Sequence, residues 1–293
     1  MTNAGCKINL GLKIIGKRKD GYHEITTIFY PLETPSDQLF FEKISGSGIQ
    51  IECVGSKISL HENILTRVWQ NFSSLCKPDY GIKITLIKRI PIGAGLGGGS
   101  SDAASFLLWL NRNHHRNLNR KQLYDIAFAT GADVPFFLDA VPSIATGAGE
   151  KLRKIKFTGK DLYLVLIVPD YIINTAWVFH RYDEIIDDGW EEQNKLTKPE
   201  ELYNKFGLSE QEEGLFTVPD NLDNDLEKAV FEKFPELGNI KTKLLALGAM
   251  TASMSGSGSS IYGIFKNRDY AKEAQKVFKQ NFTNVYFIPM RNY

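Results

Sequence analysis

Cysteine is scarce in this 293-residue chain, which carries only Cys6, Cys53 and Cys76. No two of them stand in CxxC spacing, which excludes a disulfide framework and a thiolate zinc site and agrees with a reducing compartment. Net charge is nearly absent as well. Thirty-five basic against 34 acidic residues leave +1, so no overall field draws nucleic acid or an anionic membrane, and any anion site must be local. Long apolar runs are missing too. The longest clean one, Leu162 to Val168, has the length of a strand and cannot cross a bilayer. The opening MTNAGCKINL has neither the basic start and apolar core of a signal peptide nor the Arg and Ser content of a transit peptide, and we expect a bacterial cytoplasmic protein. No Gly/Ser/Pro linker, internal repeat or low-complexity tract stands out. A hydrophobic content of 43% with 24% charged residues suits a soluble globular chain, and the length suits two domains.

Glycine, by contrast, is concentrated in one stretch. Ile90 to Ala104 reads IPIGAGLGGGSSDAA, and five of the seven residues from Gly93 to Gly99 are glycine. Upstream, Ile82, Ile84 and Leu86 alternate with polar neighbours as in a half-buried strand; downstream, Phe106 to Leu110 forms an apolar run that reads as helix. A glycine loop between a strand and a helix start is an anion cradle. Without Cβ atoms, consecutive N–H groups can face one point, and the helix adds unpaired donors and the positive end of its dipole.

Several phosphate loops are then excluded by what is absent. No Lys-Ser/Thr follows the glycines, so the stretch is not Walker A. No acidic residue closes a second strand about 20 positions on, as a dinucleotide fold requires; Asn111 to Asn119 reads as a polar loop instead. A protein-kinase glycine loop lies between two strands, whereas a helix follows here.

Elsewhere, individual residues stand out. Ile8, Leu10, Leu12 and Ile14 alternate with polar residues, so the first strand buries one face and carries Lys7 and Asn9 together on the exposed other face. Lys17 to Gly21 gives a turn, with Tyr22 to Leu32 as the returning strand. His23-Glu24 suggests a metal ligand, but no HExxH follows, and a lone His by a turn reads as a surface hydrogen-bonder. His61 to Leu65 opens an amphipathic helix with Val68, Trp69 and Phe72 inside, and Asn63 is a helix-start residue. A second helix over Leu123 to Ala129 ends at Gly131. Asp133 precedes four apolar residues, Val134-Pro135-Phe136-Phe137; an unpaired carboxylate there is costly, so it either caps a turn or needs a cation. Asp183 to Gly214 is a polar, acidic excursion, and Asn221 to Phe234 reads as a helix. Met254 to Ser260, between strand-like segments, is a hairpin or a second phosphate turn. A helix over Tyr270 to Phe278 and a strand at Val285 to Pro289 complete an α+β layer.

Together PIGAGLGGGSSDAA, KINLGLKIIGKRKDGYHEI, GADVPFF and MSGSGSS resemble the motifs of the GHMP small-molecule kinases, and among them those of the 4-diphosphocytidyl-2-C-methyl-D-erythritol kinases. The resemblance spans nearly the whole chain. It implies an α+β, two-domain GHMP kinase fold, with a ribosomal-protein-S5-domain-2-like α/β domain over 1–157 and a ferredoxin-like α+β domain over 158–293. It also implies transfer of the ATP γ-phosphoryl, with Mg²⁺, onto the 2-hydroxyl of 4-diphosphocytidyl-2-C-methyl-D-erythritol, in the non-mevalonate route to isoprenoids.

The roles the resemblance implies are specific. Lys7 and Asp133 are catalytic, the lysine stabilising charge and keeping the aspartate ionised. Pro91, Ile92, Gly93, Ala94, Gly95, Leu96, Gly97, Gly98, Gly99, Ser100 and Ser101 cradle the triphosphate, and Asn63 lies near the adenine. Asn9, Tyr22, His23 and Thr175 meet the substrate, with Tyr22 and His23 on its cytosine. Ala145 to Glu150 resembles the family's GxGE turn, and Asn224 to Glu227 its NDLE. One departure is present, because Gly5-Cys6 stands where the family has Pro-Ala. Two other readings remain: a mevalonate-type or homoserine kinase, which lacks the DGYHE segment, and a noncatalytic binding protein, which would not need both Lys7 and Asp133. Oligomeric state is left open.

Overall fold

The computed structural model describes residues 1–55, 63–115, 117–187 and 215–293. The chain divides into two compact units. Met1–Lys7, Pro31–Ile92 and Gly97–Ala140 form the first, and Ile8–Tyr30, Gly93–Leu96 and Val141–Tyr293 the second. Neither is contiguous in sequence, since the two opening strands and the glycine loop contribute residues to both.

Strand β1 (Thr2–Lys17) pairs with β2 (His23–Ile44). In the first unit, β3 (Ile49–Val54) runs parallel to β4 (Gly81–Ile87), and β4 pairs antiparallel with the far end of β2, from Gln38↔Ile87 to Ile44↔Gly81. Three helices accompany these strands. Helix α1 (Ile64–Cys76) starts at Asn63, whose side-chain oxygen accepts from the Leu65 N–H, and buries Leu65, Val68, Trp69 and Phe72 at helical spacing. Helix α2 (Gly98–Asn113) follows the glycines and buries Phe106, Leu107 and Leu110. Helix α3 (Arg120–Thr130) begins with an Asn119/Gln122 capping box and ends at Gly131. A 3₁₀ helix over Val134–Leu138 comes directly after Asp133.

The second unit contains the start of β2 paired antiparallel with β5 (Ser143–Gly147), and β5 paired with β6 (Lys151–Lys154). Strand β7 (Lys156–Thr158) runs parallel to β9 (Leu215–Thr217). Between them in sequence lie β8 (Tyr163–Ile167) and α4 (Thr175–Asp187). Helices α5 (Glu227–Lys233) and α6 (Pro235–Ala246), strands β10 (Thr251–Met254) and β11 (Ile261–Phe265), helix α7 (Arg268–Lys279) and strand β12 (Val285–Pro289) complete it. The sheet order β10-β11-β8-β12 is antiparallel throughout. Its apolar face meets α6 and α7 through Val165, Ile167, Leu244, Ala274 and Phe278, all buried, which is the α+β layer expected from the sequence.

Several boundaries differ from the sequence reading. Strand β2 runs twelve residues past Leu32, because Leu39 and its neighbours pair with β4. The helix expected over Asn221 to Phe234 occupies only Glu227–Lys233, since the backbone before it is bridged to β1 instead: Leu12 N–H donates to the Asp223 carbonyl and Asp225 N–H to the Leu12 carbonyl. Helix α2 reaches Asn113, into the stretch read as a polar loop. His61, Glu62 and most of the excursion to Gly214 lie outside the described residues.

Candidate active site

In the first unit, Lys7 and Asp133 are brought together across more than 120 residues of sequence. Lys7 Nζ lies 3.6 Å from Asp133 Oδ2, with 5% of the lysine side chain exposed and 32% of the aspartate's. The sequence placed Lys7 and Asn9 on an exposed face; both are buried, Lys7 against Asp133 and Gly97 and Asn9 against Thr27 and Gly256. Burial lowers the Lys7 pKa below the ordinary lysine value, and Asp133 opposes the shift. Gly5, the departure from the family pattern, permits close strand pairing here: a Cβ on it would be driven into the Leu32 carbonyl oxygen. Cys6 beside it is buried, and burial holds its thiol neutral.

The same pair adjoins the end of the glycine loop. Gly97 has φ +67°, and a Cβ built on it would stand 3.1 Å from the Phe137 ring and 3.3 Å from Lys7 Cε. Any side chain at 97 would therefore be strained and would press on the lysine. From Gly97 the chain enters α2, whose first intrahelical hydrogen bond runs from Ser101 N–H to the Gly97 carbonyl. The N–H groups of Gly98, Gly99 and Ser100 precede it and form the donor end of the helix. Asn63, which caps α1, is buried, and its Nδ2 has no partner among the described residues. A buried donor left so is costly unless a ligand accepts from it.

In the second unit, Gly93 to Leu96 rest on the turn between β10 and β11. Ser255 Oγ donates to the Gly95 carbonyl at 2.9 Å and accepts from Asn9 N–H at 3.1 Å, while Ser260 N–H donates to the Ala94 carbonyl. Asn224 Nδ2 donates to the Met254 and Gly256 carbonyls, and Glu227 accepts from Ser253 Oγ and Met254 N–H. The NDLE stretch thus braces the serine-rich turn rather than serving only as a helix cap. Asn9, read as a substrate contact, donates its amide to Thr27 Oγ1 at 3.1 Å.

His23 is a buried residue here, not a surface one. One ring nitrogen lies 2.6 Å from Asp183 Oδ1, and the ring stacks on Phe179 at 4.8 Å. Lys17 Nζ also reaches Asp183, at 2.6 Å; burial raises that carboxyl, but the hydrogen bonds from Lys17 and His23 outweigh it and hold its pKa below the ordinary value. Tyr22 is 64% exposed, offering an open ring face. Thr175 opens α4 and shares a 2.9 Å hydrogen bond with Ser257. Phe179 and Asp183 escaped sequence reading, although their spacing of four on one helix face was available as a signal. Among the described residues, no cluster of three or more His, Cys, Asp or Glu side chains could hold a metal ion, and no helix is long and apolar enough to cross a membrane.

Two family models match the chain, the GHMP kinases N terminal domain over residues 63–140 and the GHMP kinases C terminal over 212–284. A 4-diphosphocytidyl-2-C-methyl-D-erythritol kinase from Lawsonia intracellularis is 37% identical over 284 residues, covering 94% of this chain and 92% of the relative. The crystal structure of a 4-(cytidine 5'-diphospho)-2C-methyl-D-erythritol kinase superposes with a TM-score of 0.75 at 30% identity, covering 98% of this chain and 97% of the other. A homoserine kinase from Cytophaga hutchinsonii shares the fold alone, with a TM-score of 0.63 at 18% identity over 100% of this chain and 96% of its own. The match along nearly the full length of both chains, with the glycine loop and the Lys7–Asp133 pair in place, shows that this chain belongs to the 4-diphosphocytidyl-2-C-methyl-D-erythritol kinase family of GHMP kinases.

Proposed function

We propose that the chain transfers the γ-phosphoryl of ATP to the 2-hydroxyl of 4-diphosphocytidyl-2-C-methyl-D-erythritol, supplying the non-mevalonate route to isoprenoid precursors. The observation that carries this reading is the Lys7–Asp133 pair against Gly97, because phosphoryl transfer needs a phosphate cradle, a positive charge and a group that positions the acceptor hydroxyl. The backbone of Pro91 to Ser101 binds the triphosphate, with the start of α2 as its anion-binding end. Asp133 accepts the hydrogen of the 2-hydroxyl; the new bond joins that oxygen to the γ-phosphorus, the bond to the β-phosphate oxygen breaks, and ADP leaves. Lys7 offsets negative charge on the transferring group. Asn63 Nδ2 finds its acceptor on the adenine. The oxygen donors also fit Mg²⁺, which takes most of its ligands from phosphate and water. Asp133 and the Ser100 hydroxyl would help to hold it, and it supplies charge neutralisation on the phosphates.

Specificity for the cytidylyl group falls to Tyr22 and His23, with Thr175 and Asn9 as further contacts. A base stacked on an aromatic ring gains about 1–3 kcal/mol. His23→Ala is therefore expected to raise KM for the cytidylyl substrate about tenfold, with KM for ATP little changed. Equal rises for both would confine His23 to anchoring α4 through Asp183 and Phe179. The whole reading is tested by coupled ADP-release assays against 4-diphosphocytidyl-2-C-methyl-D-erythritol, mevalonate, phosphomevalonate, homoserine and galactose. Turnover of the first alone is expected; turnover of mevalonate alone would overturn the substrate assignment.

A further inference from the structure

Behind the residues that meet the base, the second unit holds a carboxylate to which the reaction gives no part. Asp183 of α4 divides its two oxygens: Oδ2 accepts from Lys17 Nζ at 2.6 Å, and Oδ1 lies 2.6 Å from His23 Nε2. The neighbouring cations are engaged elsewhere, Arg18 with Asp20 and Glu150 and Arg181 with Glu184 and Glu232. Lys17 thus balances the charge of Asp183, and a neutral imidazole completes the group. Burial works against the carboxylate, but the hydrogen bonds from Lys17 and His23 hold it below its ordinary pKa, so it is ionised. An ionised carboxylate only accepts, which places the hydrogen of the bond on Nε2. Phe179 stacks on one face of the ring at 4.8 Å, so the hydrogen bond and the stack together fix its orientation. Nδ1 is then the ring nitrogen with no hydrogen bond among the described residues, and in the neutral ring it is an acceptor.

We propose that Asp183 is a positioning residue that locks His23 in its Nε2–H tautomer, and that this lock makes the site select a base offering an amino group over one offering a carbonyl. The proposal rests on the reading of His23 as a contact of the cytidylyl group and extends it to the atom that is read. Cytosine presents a donor, its exocyclic N4 amino group, which an accepting Nδ1 can receive. Uracil carries the O4 oxygen at the same position, so two acceptors would face each other. A mismatch of that kind costs more than a weakened contact, because both groups lose water and gain no partner. Without Asp183 the ring would be free to carry its hydrogen on Nδ1, and the preference would fade or reverse.

The test compares wild type with Asp183→Asn, checked for folding by circular dichroism, on 4-diphosphocytidyl-2-C-methyl-D-erythritol and on its uridylyl counterpart. The asparagine amide can donate to Nε2, which permits the Nδ1–H form. KM for the cytidylyl substrate is expected to rise about tenfold, with kcat and KM for ATP little changed. The preference for cytidylyl over uridylyl in kcat/KM should fall about tenfold or more, the scale of one desolvated hydrogen bond left unmade. If Asp183 only anchored α4, both substrates would weaken alike; an unchanged preference in the folded variant, or a wild type indifferent to the two bases, would overturn the proposal. A second measurement needs no fold-sensitive variant. Long-range ¹H–¹⁵N correlation spectra of wild type with ¹⁵N-labelled histidine at pH 8, with His23 assigned by its loss in His23→Ala, report which nitrogen carries hydrogen. Hydrogen on Nε2 alone is expected, and hydrogen on Nδ1 would overturn the lock. A folded His23→Ala with unchanged KM for the cytidylyl substrate would instead remove the contact itself, and this inference with it.

Discussion

Asp133→Asn is expected to lower kcat by about 10²–10⁴, the range of a positioned acid–base group, while KM for ATP changes little. The amide keeps the shape of the carboxylate but loses the charge and the capacity to take the hydroxyl proton. Phosphoryl transfer passes through a loose transition state, so deprotonation is not needed early, and much of the loss comes from mispositioning of the hydroxyl. A second signature separates this from simple damage. Lys7 already has its pKa lowered by burial, with Asp133 opposing the shift. Removing the carboxylate lowers it further, so the alkaline limb of the residual activity should move to lower pH than in wild type. The measurement is a kcat–pH profile for both proteins on the cytidylyl substrate. Near-normal kcat in Asp133→Asn would end the catalytic assignment, whatever the distance to Lys7.

Half of this pair was legible in the sequence because Asp133 looked wrong alone, whereas Lys7 was singled out by the family resemblance. A carboxylate ahead of Val134-Pro135-Phe136-Phe137 needs a partner, and the glycine loop announced where an anion would sit. Strands β8, β11 and β12 were legible because short runs of apolar and aromatic residues of strand length leave few alternatives. The rest depended on contacts that leave no local pattern. Asp37 sits in TPSDQLFFEK like any turn or strand-edge acid, and nothing beside it in sequence indicates full burial under Arg89 and Ile90. His23 looked like a surface residue because its partners, Phe179 and Asp183, lie some 160 positions away. Lys7 and Asn9 read as exposed since alternation marks which side chains share a face, not what covers that face. Asn224 was legible as a cap, and its Oδ1 accepts from Leu226 N–H, but the bonds of its Nδ2 to the serine-rich turn are tertiary contacts with no local pattern.

Within the glycine loop, Gly95→Ala is expected to be the most damaging single methyl. Gly95 has φ +74°, a region that alanine enters only at a cost, and the new Cβ would be driven into the Ser255 carbonyl oxygen and stand 3.0 Å from that of Gly258. Both neighbours are backbone, so neither can swing aside as a side chain would: Asn224 holds the Met254 and Gly256 carbonyls on either side of Ser255, and Gly258 N–H donates to the Ser255 carbonyl. The loop must move instead, and it carries with it the Gly95 carbonyl that Ser255 Oγ holds. Strain and clash of a few kcal/mol weaken ATP by on the order of 100-fold or more. Gly99→Ala is the internal control for the fold. Gly99 has an ordinary backbone conformation in the first turn of α2, and its Cβ would meet only Ile64, at 3.9 Å. An alanine there relieves the entropic penalty of glycine in a helix, so the melting temperature should hold or rise. Titrating both folded variants with ATP decides the matter: if Gly95→Ala binds as tightly as wild type, the loop is a spacer and the phosphates are held elsewhere.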